Sequence, residues 1–137
     1  MLSPIEIVQN RMLDQDPFSK WLGIKLIALD LGQCTLKMKV NTSMMNGFQI
    51  GHGGITYALS DSAFAFASNS YGFHAVSVES SISHIKPVFD QDTLTATALE
   101  ISRSKLLGSY EVKVKNQNNE LVSHFKGTAF IKKTKWE

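Results

Sequence analysis

Apolar and polar positions follow two different periods along the chain. Residues 35–40 read Thr-Leu-Lys-Met-Lys-Val, and residues 110–115 read Tyr-Glu-Val-Lys-Val-Lys. This alternation is typical of strands with one buried face. Over Ile55 to Ser70, by contrast, apolar residues sit nearly all round a helical wheel. That segment is therefore predicted to form a helix buried on most sides.

Turn and cap signals supply the remaining elements. Ser3, Pro4 and Glu6 have the spacing of a capping box and predict a short helix over Ile5 to Leu13, ended by Pro17. Leu31-Gly32-Gln33 reads as a turn between two strands. The other predicted strands are Ile24 to Asp30, Val76 to Lys86, Thr93 to Ile101, Ser109 to Lys115 and Leu121 to Lys132. The pattern predicts one α+β domain over 1–137, with an antiparallel sheet of about six strands packed on one hydrophobic helix.

Composition narrows the classes of function. A chain of 137 residues with 43% hydrophobic content fits one core. Its net charge of +2 is too mild to indicate a nucleic-acid-binding protein. No apolar run has the length of an export signal or a membrane span, so we expect a cytoplasmic protein without a membrane partner. Cys34 is the only cysteine, which excludes an intrachain disulfide.

One carboxylate is out of place in this pattern. Between Lys39 and Glu79 the only charged side chain is Asp61, in the middle of the most apolar predicted helix. A buried ionised carboxylate is costly unless something compensates it, which favours a chemical role. The alternative is a solvent-facing polar stripe, because Ser60 and Ser62 flank Asp61.

The glycine-rich segment before this helix is a candidate oxyanion site. Gly47, Gly51, Gly53 and Gly54 predict a loop with unusual backbone angles. At a helix start the backbone N–H groups of Gly53 and Gly54 lack intrahelical partners and can polarise a carbonyl. A turn and cap alone would explain the glycines equally well.

Helix geometry separates the two candidate groups. Asp61 lies eight residues after Gly53, which is about 12 Å along a helix axis. A carboxylate at that distance cannot attack a carbonyl held at the start of its own helix. If both groups act on one substrate, Asp61 must come from a second chain. We therefore expect an obligate dimer with two composite sites.

Several motifs resemble the hot-dog-fold thioesterases, specifically their phenylacetate-pathway (PaaI-like) branch. They are Trp21-Leu22-Gly23-Ile24, Asn46-Gly47, His52-Gly53-Gly54, Leu59-Ser60-Asp61-Ser62-Ala63, Val76-Ser77-Val78, His84-Ile85-Lys86-Pro87 and Gly127-Thr128-Ala129-Phe130. The resemblance implies a hot-dog fold in which the sheet wraps round the central helix. It also implies dimers joined sheet edge to sheet edge, and often a tetramer of two dimers. Asn118-Asn119-Glu120 departs from the family, which commonly has glycine at this distal turn.

The resemblance further implies hydrolysis of an acyl-CoA, with coenzyme A as part of the substrate and no separate cofactor. Asp61 would be the catalytic carboxylate, acting as general base or nucleophile, and Gly53 the donor to the thioester oxygen. Asn46 and His52 would orient substrate or water, and Ser77 would help to hold the attacking water.

Other assignments stay open. An apolar pocket would fit an aryl-acetyl or medium-chain acyl group. The phosphates of coenzyme A would need basic partners. The further candidate contacts with the substrate are Gly54, Met45, Phe64, Arg103 and Lys105. No histidine pair has metal-ligand spacing, so no metal is expected. A non-catalytic acyl-CoA-binding or regulatory module and a hot-dog hydratase or dehydratase remain alternatives.

Overall fold

The predicted antiparallel sheet has six strands in the computed structural model, which describes residues 1–137. Their order across the sheet is β1-β2-β4-β5-β6-β3, so β1 and β3 form its two edges. The strands are β1 Lys25–Asp30, β2 Gln33–Lys39, β3 Phe73–His84, β4 Thr93–Arg103, β5 Leu107–Lys115 and β6 Leu121–Lys135. All six predicted strands are confirmed, with β3 beginning and ending earlier than predicted.

The central helix packs across the inner face of the sheet. A five-residue helix, α1 (Pro17–Trp21), precedes it, and the central helix itself is α2 (Gly53–Asn69). Small alanines on β4 make room for the large side chains of α2. The fully buried core includes Leu36, Leu59, Phe64, Leu94, Ala96, Ala98, Val112 and Phe125. Burial of this apolar surface against the sheet stabilises α2 and fixes which of its faces points inward.

One stripe of α2 lies away from the sheet. Tyr57 is 37% exposed, and Ala58, Asp61, Ser62 and Ala65 are half-buried. These positions are three or four residues apart and share one side of the helix. Burial on most sides is thus confirmed, and the remaining side carries Asp61.

The N-terminal capping box is confirmed. The Ser3 N–H donates to Glu6 Oε2 at 2.7 Å, and the Glu6 N–H donates to Ser3 Oγ at 3.3 Å. The helix that follows has π-helical hydrogen bonding over Glu6–Met12 and tightens to a 3-10 turn at Leu13–Gln15.

The first helix ends before Pro17, as predicted, and its last 3-10 turn closes at Gln15. Pro17 is the first residue of α1, where a missing N–H costs nothing. Asp16, extended as residues before proline usually are, ends the preceding turn and caps α1. Its carboxylate accepts from the Ser19 N–H at 3.0 Å and from Ser19 Oγ at 2.6 Å.

No helix of the structure is long and apolar enough to span a membrane.

Candidate active site

Asn46 organises the loop that leads to α2. Its Oδ1 accepts from the Phe48 N–H at 2.9 Å and the Ile50 N–H at 3.4 Å, and its own N–H donates to Ile50 O at 2.8 Å. The Gly51 N–H then donates to Val88 O at 2.6 Å, which ties the loop to the segment after β3. Because only the Asn46 oxygen is used in these bonds, its side-chain N–H groups stay free to meet a ligand.

The glycines of this loop permit close approach; they do not adopt unusual angles. The only residue with a left-handed φ between 45 and 54 is Gln49, at 60°. The unusual backbone angle predicted for the glycines is therefore found at Gln49. A Cβ on Gly51 would stand 3.0 Å from Val88 Cβ, and one on Gly53 would stand 3.0 Å from His84 Nε2. Side chains at these positions would push the walls of the site apart.

Only one of the two expected backbone donors is free. His52 caps α2: its Nδ1 accepts from the Gly54 N–H at 2.8 Å. The Gly53 N–H has no hydrogen-bond partner within the chain. Because Nδ1 of His52 accepts a hydrogen bond, the proton of its neutral ring lies on Nε2 and points away from the helix. The helix start therefore presents the Gly53 N–H alone, supported by the positive end of the helix dipole.

The free Gly53 N–H opens on a cavity of about 320 Å³ between the loop and the end of β3. Asn46, Gly53 and His84 provide polar groups, while the other side is mostly apolar. The full lining is Asn46, Ile50, Gly51, Gly53, Thr56, His84, Ile85, Lys86, Pro87, Val88 and Val122. A cavity with an apolar wall and a few polar groups is the usual form of a small-molecule site.

Thr56 and His84 line the cavity, and the sequence did not assign either of them to the site. Thr56 Oγ1 donates to Gly53 O at 3.0 Å and lies 3.5 Å from His84 Nδ1. The His84-Ile85-Lys86-Pro87 motif was the only available signal. Strand periodicity could not have shown that the His84 ring turns toward α2, because β3 ends at that residue.

Asp61 lies outside this cavity, on the open stripe of α2. Partial burial raises the pKa of its carboxyl, and the carboxylate accepts no hydrogen bond from the chain. On either side of it around the helix, Tyr57 and Asn69 both contact β3. The Tyr57 hydroxyl bonds Ser80 Oγ, and the Asn69 side chain bonds both backbone groups of Ala75, at 2.9 and 3.0 Å. Asp61 therefore faces the side on which β3 forms the edge of the sheet.

The remaining predicted contacts are scattered within one chain. Ser77 is exposed on β3, Met45 is half-buried beside the core, and Lys105 is exposed in the turn after β4. Phe64, expected to line a pocket, is 1% exposed and packs on Tyr110 and Phe125, with ring centroids 5.6 and 5.7 Å apart. None of these four side chains lines the cavity.

Arg103 is engaged at the opposite end of α2. Its guanidinium lies 3.9 Å from the centre of the Tyr71 ring, and Nη1 donates to Ser68 O at 3.4 Å and to the Tyr110 hydroxyl at 3.3 Å. A cation near the last carbonyls of a helix stabilises its C-terminus. This role accounts for the Arg103 contacts within the chain.

Cys34 and two histidines also have structural surroundings. Burial raises the pKa of the Cys34 thiol to about 12, which keeps it protonated and unreactive. His124 Nε2 lies 3.0 Å from Glu111 Oε2, and His74 stacks on Trp136 with ring centroids 4.2 Å apart.

Comparison with known proteins places this geometry in a known superfamily. Residues 48–123 match the thioesterase superfamily. The chain is 40% identical over 118 residues to acyl-coenzyme A thioesterase PaaI of Escherichia coli (strain K12). The aligned residues make up 86% of this chain and 84% of that relative.

Solved structures agree with this match. E. coli PaaI, from the phenylacetic acid degradation operon, has a TM-score of 0.93 at 36% identity and covers 96% of each chain. A Thermus thermophilus protein has a TM-score of 0.82 at 35% identity, covering 85% of this chain and 97% of that one. A Streptococcus mutans protein bound to acetyl CoA has a TM-score of 0.80 at 25% identity, covering 82% and 91%.

Proposed function

This chain belongs to the thioesterase superfamily and has its hot-dog fold, and from that premise we propose that it hydrolyses an acyl-CoA. The products are a carboxylic acid and free CoA, and one water is consumed. The observation that carries the proposal is the unpaired Gly53 N–H, which opens at the start of α2 on a partly apolar cavity. A positioned backbone donor of this kind stabilises the oxyanion that forms during acyl transfer.

We propose an aryl-acetyl or medium-chain acyl group as the substrate's acyl part. Ile50, Ile85 and Val88 give the cavity an apolar wall, and about 320 Å³ is near the lower end of the usual range for ligand sites. The similarity to E. coli PaaI, from the phenylacetic acid degradation operon, and to a protein bound to acetyl CoA supports this class of substrate.

Asp61 supplies the reactive carboxylate. As general base it takes a proton from water while the water oxygen bonds the thioester carbon; the C–S bond then breaks and the thiolate takes up a proton. As nucleophile it forms a mixed anhydride with release of the thiol, and water then hydrolyses the anhydride. Single-turnover hydrolysis in heavy-oxygen water tests for the second route, because label enters Asp61 only when water attacks the Asp61 carbonyl of the anhydride.

We propose that each site combines the Gly53 N–H of one subunit with Asp61 of the partner subunit. The separation of about 12 Å along α2 prevents the two groups of one chain from meeting at one carbonyl. An arrangement with β3 edges side by side is supported by the length of β3 and by the exposure of Val76 (41%) and Val78 (59%) on it. Asp61 faces this edge, so edge pairing brings it toward a second chain.

A panel of acyl-CoAs assayed for thiol release tests the proposal. Asp61→Asn is expected to lower kcat by roughly 10²–10⁴-fold, the range for loss of a general base. Asp14→Asn is the matched control. It removes an exposed carboxylate that lies far from Asp61 in the sequence, and activity is expected to be retained. Binding without thiol release would instead indicate a non-catalytic module, and a change in enoyl absorbance would indicate a hydratase. Near-normal turnover by Asp61→Asn would overturn the assignment of Asp61.

A further inference from the structure

His84 is the titratable side chain that lies against the start of α2 inside the cavity. A Cβ built on Gly53 would stand 3.0 Å from His84 Nε2 and 3.1 Å from Cε1. The ring therefore occupies the space that any larger residue at position 53 would need. It shares the cavity lining with Asn46, whose side-chain N–H groups are unpaired, and with Gly53.

The two ring nitrogens of His84 have different neighbours. Nδ1 lies 3.5 Å from Thr56 Oγ1, whose own proton is donated to Gly53 O at 3.0 Å. At 3.5 Å this contact does not fix the tautomer of the ring. Nε2 is the ring nitrogen that lies nearest to Gly53, and it can carry the proton of the neutral ring.

We propose that His84 is a catalytic residue that donates Nε2–H to the thioester oxygen beside the Gly53 N–H. This inference rests on the proposed acyl-CoA hydrolysis and names a second donor for its oxyanion. A second donor beside the Gly53 N–H shares the negative charge that develops on the thioester oxygen.

Few other charges act on His84. Lys86 lines the same cavity and is paired with Glu120 on the β5–β6 turn at 2.5 Å. α2 contributes only its cap, His52, and β6 contributes the uncharged Val122 and Ser123 in this region. In the proposed dimer, Asp61 of the partner subunit is the one carboxylate that approaches the bound carbonyl.

Asp61 predicts a rise of kcat with pH, because burial raises the pKa of its carboxyl and the carboxylate is the reactive form. Variants of His84 are expected to keep this rise and to lower the kcat that it reaches.

Three variants test this role by thiol release over a range of pH. His84→Phe keeps a ring of similar size without a donor, and it is expected to lower kcat by about 10²-fold with little change in KM. His84→Gln keeps a side-chain N–H donor and is expected to retain more activity than His84→Phe. His74→Gln, a histidine that stacks on Trp136 away from the cavity, is the matched control and should keep the wild-type profile.

The outcomes separate this inference from the proposed function. A wild-type enzyme that releases no thiol from any acyl-CoA contradicts the proposed hydrolysis. If wild type and His74→Gln are active while both His84 variants keep the wild-type kcat, the role of His84 is refuted alone. If His84→Phe fails to fold, His84→Leu, which also lacks a donor, replaces it in the comparison.

Discussion

Asp61 carries its carboxyl group in partly buried surroundings that disfavour the charged form. The carboxylate is half-buried, accepts no hydrogen bond from the chain, and has a pKa raised by burial. A raised pKa means that the folded state favours the neutral acid. The stability that the carboxyl contributes is therefore full below about pH 4, where the unfolded chain is also protonated, and is lost as pH rises through the folded-state pKa.

Asp61→Asn is accordingly expected to raise the melting temperature at pH 7 while it lowers activity. The gain should shrink as pH falls toward 4, because wild type then carries a neutral side chain as well. Thermal unfolding of both proteins across this range measures the effect. A gain that grows on acidification would show that Asp61 is stabilised as the anion.

The start of α2 combines three features within one turn. His52 caps the helix, Gly53 leaves its N–H free, and Thr56 binds the Gly53 carbonyl. Gly53 and Gly54 have ordinary negative φ angles, so glycine is needed here because the His84 and His52 rings leave no space for a side chain. The sequence had instead predicted unusual backbone angles for these glycines.

Gly53→Ala is expected to lower kcat by about 10- to 10²-fold without unfolding the protein, since the new methyl group must displace the His84 ring. Gly47→Ala is the matched control, because nothing lies within 4 Å of a Cβ at Gly47 and its φ is not left-handed. Thiol-release kinetics and far-UV circular dichroism of both variants provide the measurement. Equal activity of the two variants would mean that the contact between Gly53 and His84 is not needed for catalysis.

At the scale of the whole molecule, the open stripe of α2 and the β3 edge lie on one side. The Asn69 side chain already bonds the backbone N–H and carbonyl of Ala75. Strand pairing between β3 and a second chain is therefore expected only after Ala75. The composite site that we propose depends on this arrangement, and the tetramer stays a prediction for native mass spectrometry.

Mixing subunits tests the composite site directly. A heterodimer of one Asp61→Asn and one Gly53→Ala subunit has one intact site and one site with both changes. Random mixing makes half of the dimers mixed, so we expect about a quarter of wild-type activity from two nearly inactive parents. Native mass spectrometry verifies mixed dimers. If verified mixed dimers are no more active than the parents, both groups of a site belong to one chain.

The sequence by itself determined the elements and the residue types of the site. Periodicity follows from local geometry, so six strands and a mostly buried helix could be predicted, and Asp61 was conspicuous because its neighbours are apolar. The tertiary structure decided which groups meet. It placed Phe64 in the core, engaged Arg103 at the far end of α2, and occupied the Gly54 N–H with His52. It also brought His84 to Gly53, 31 positions away in the sequence. Such contacts depend on how β3 ends against α2, and no local pattern encodes that packing.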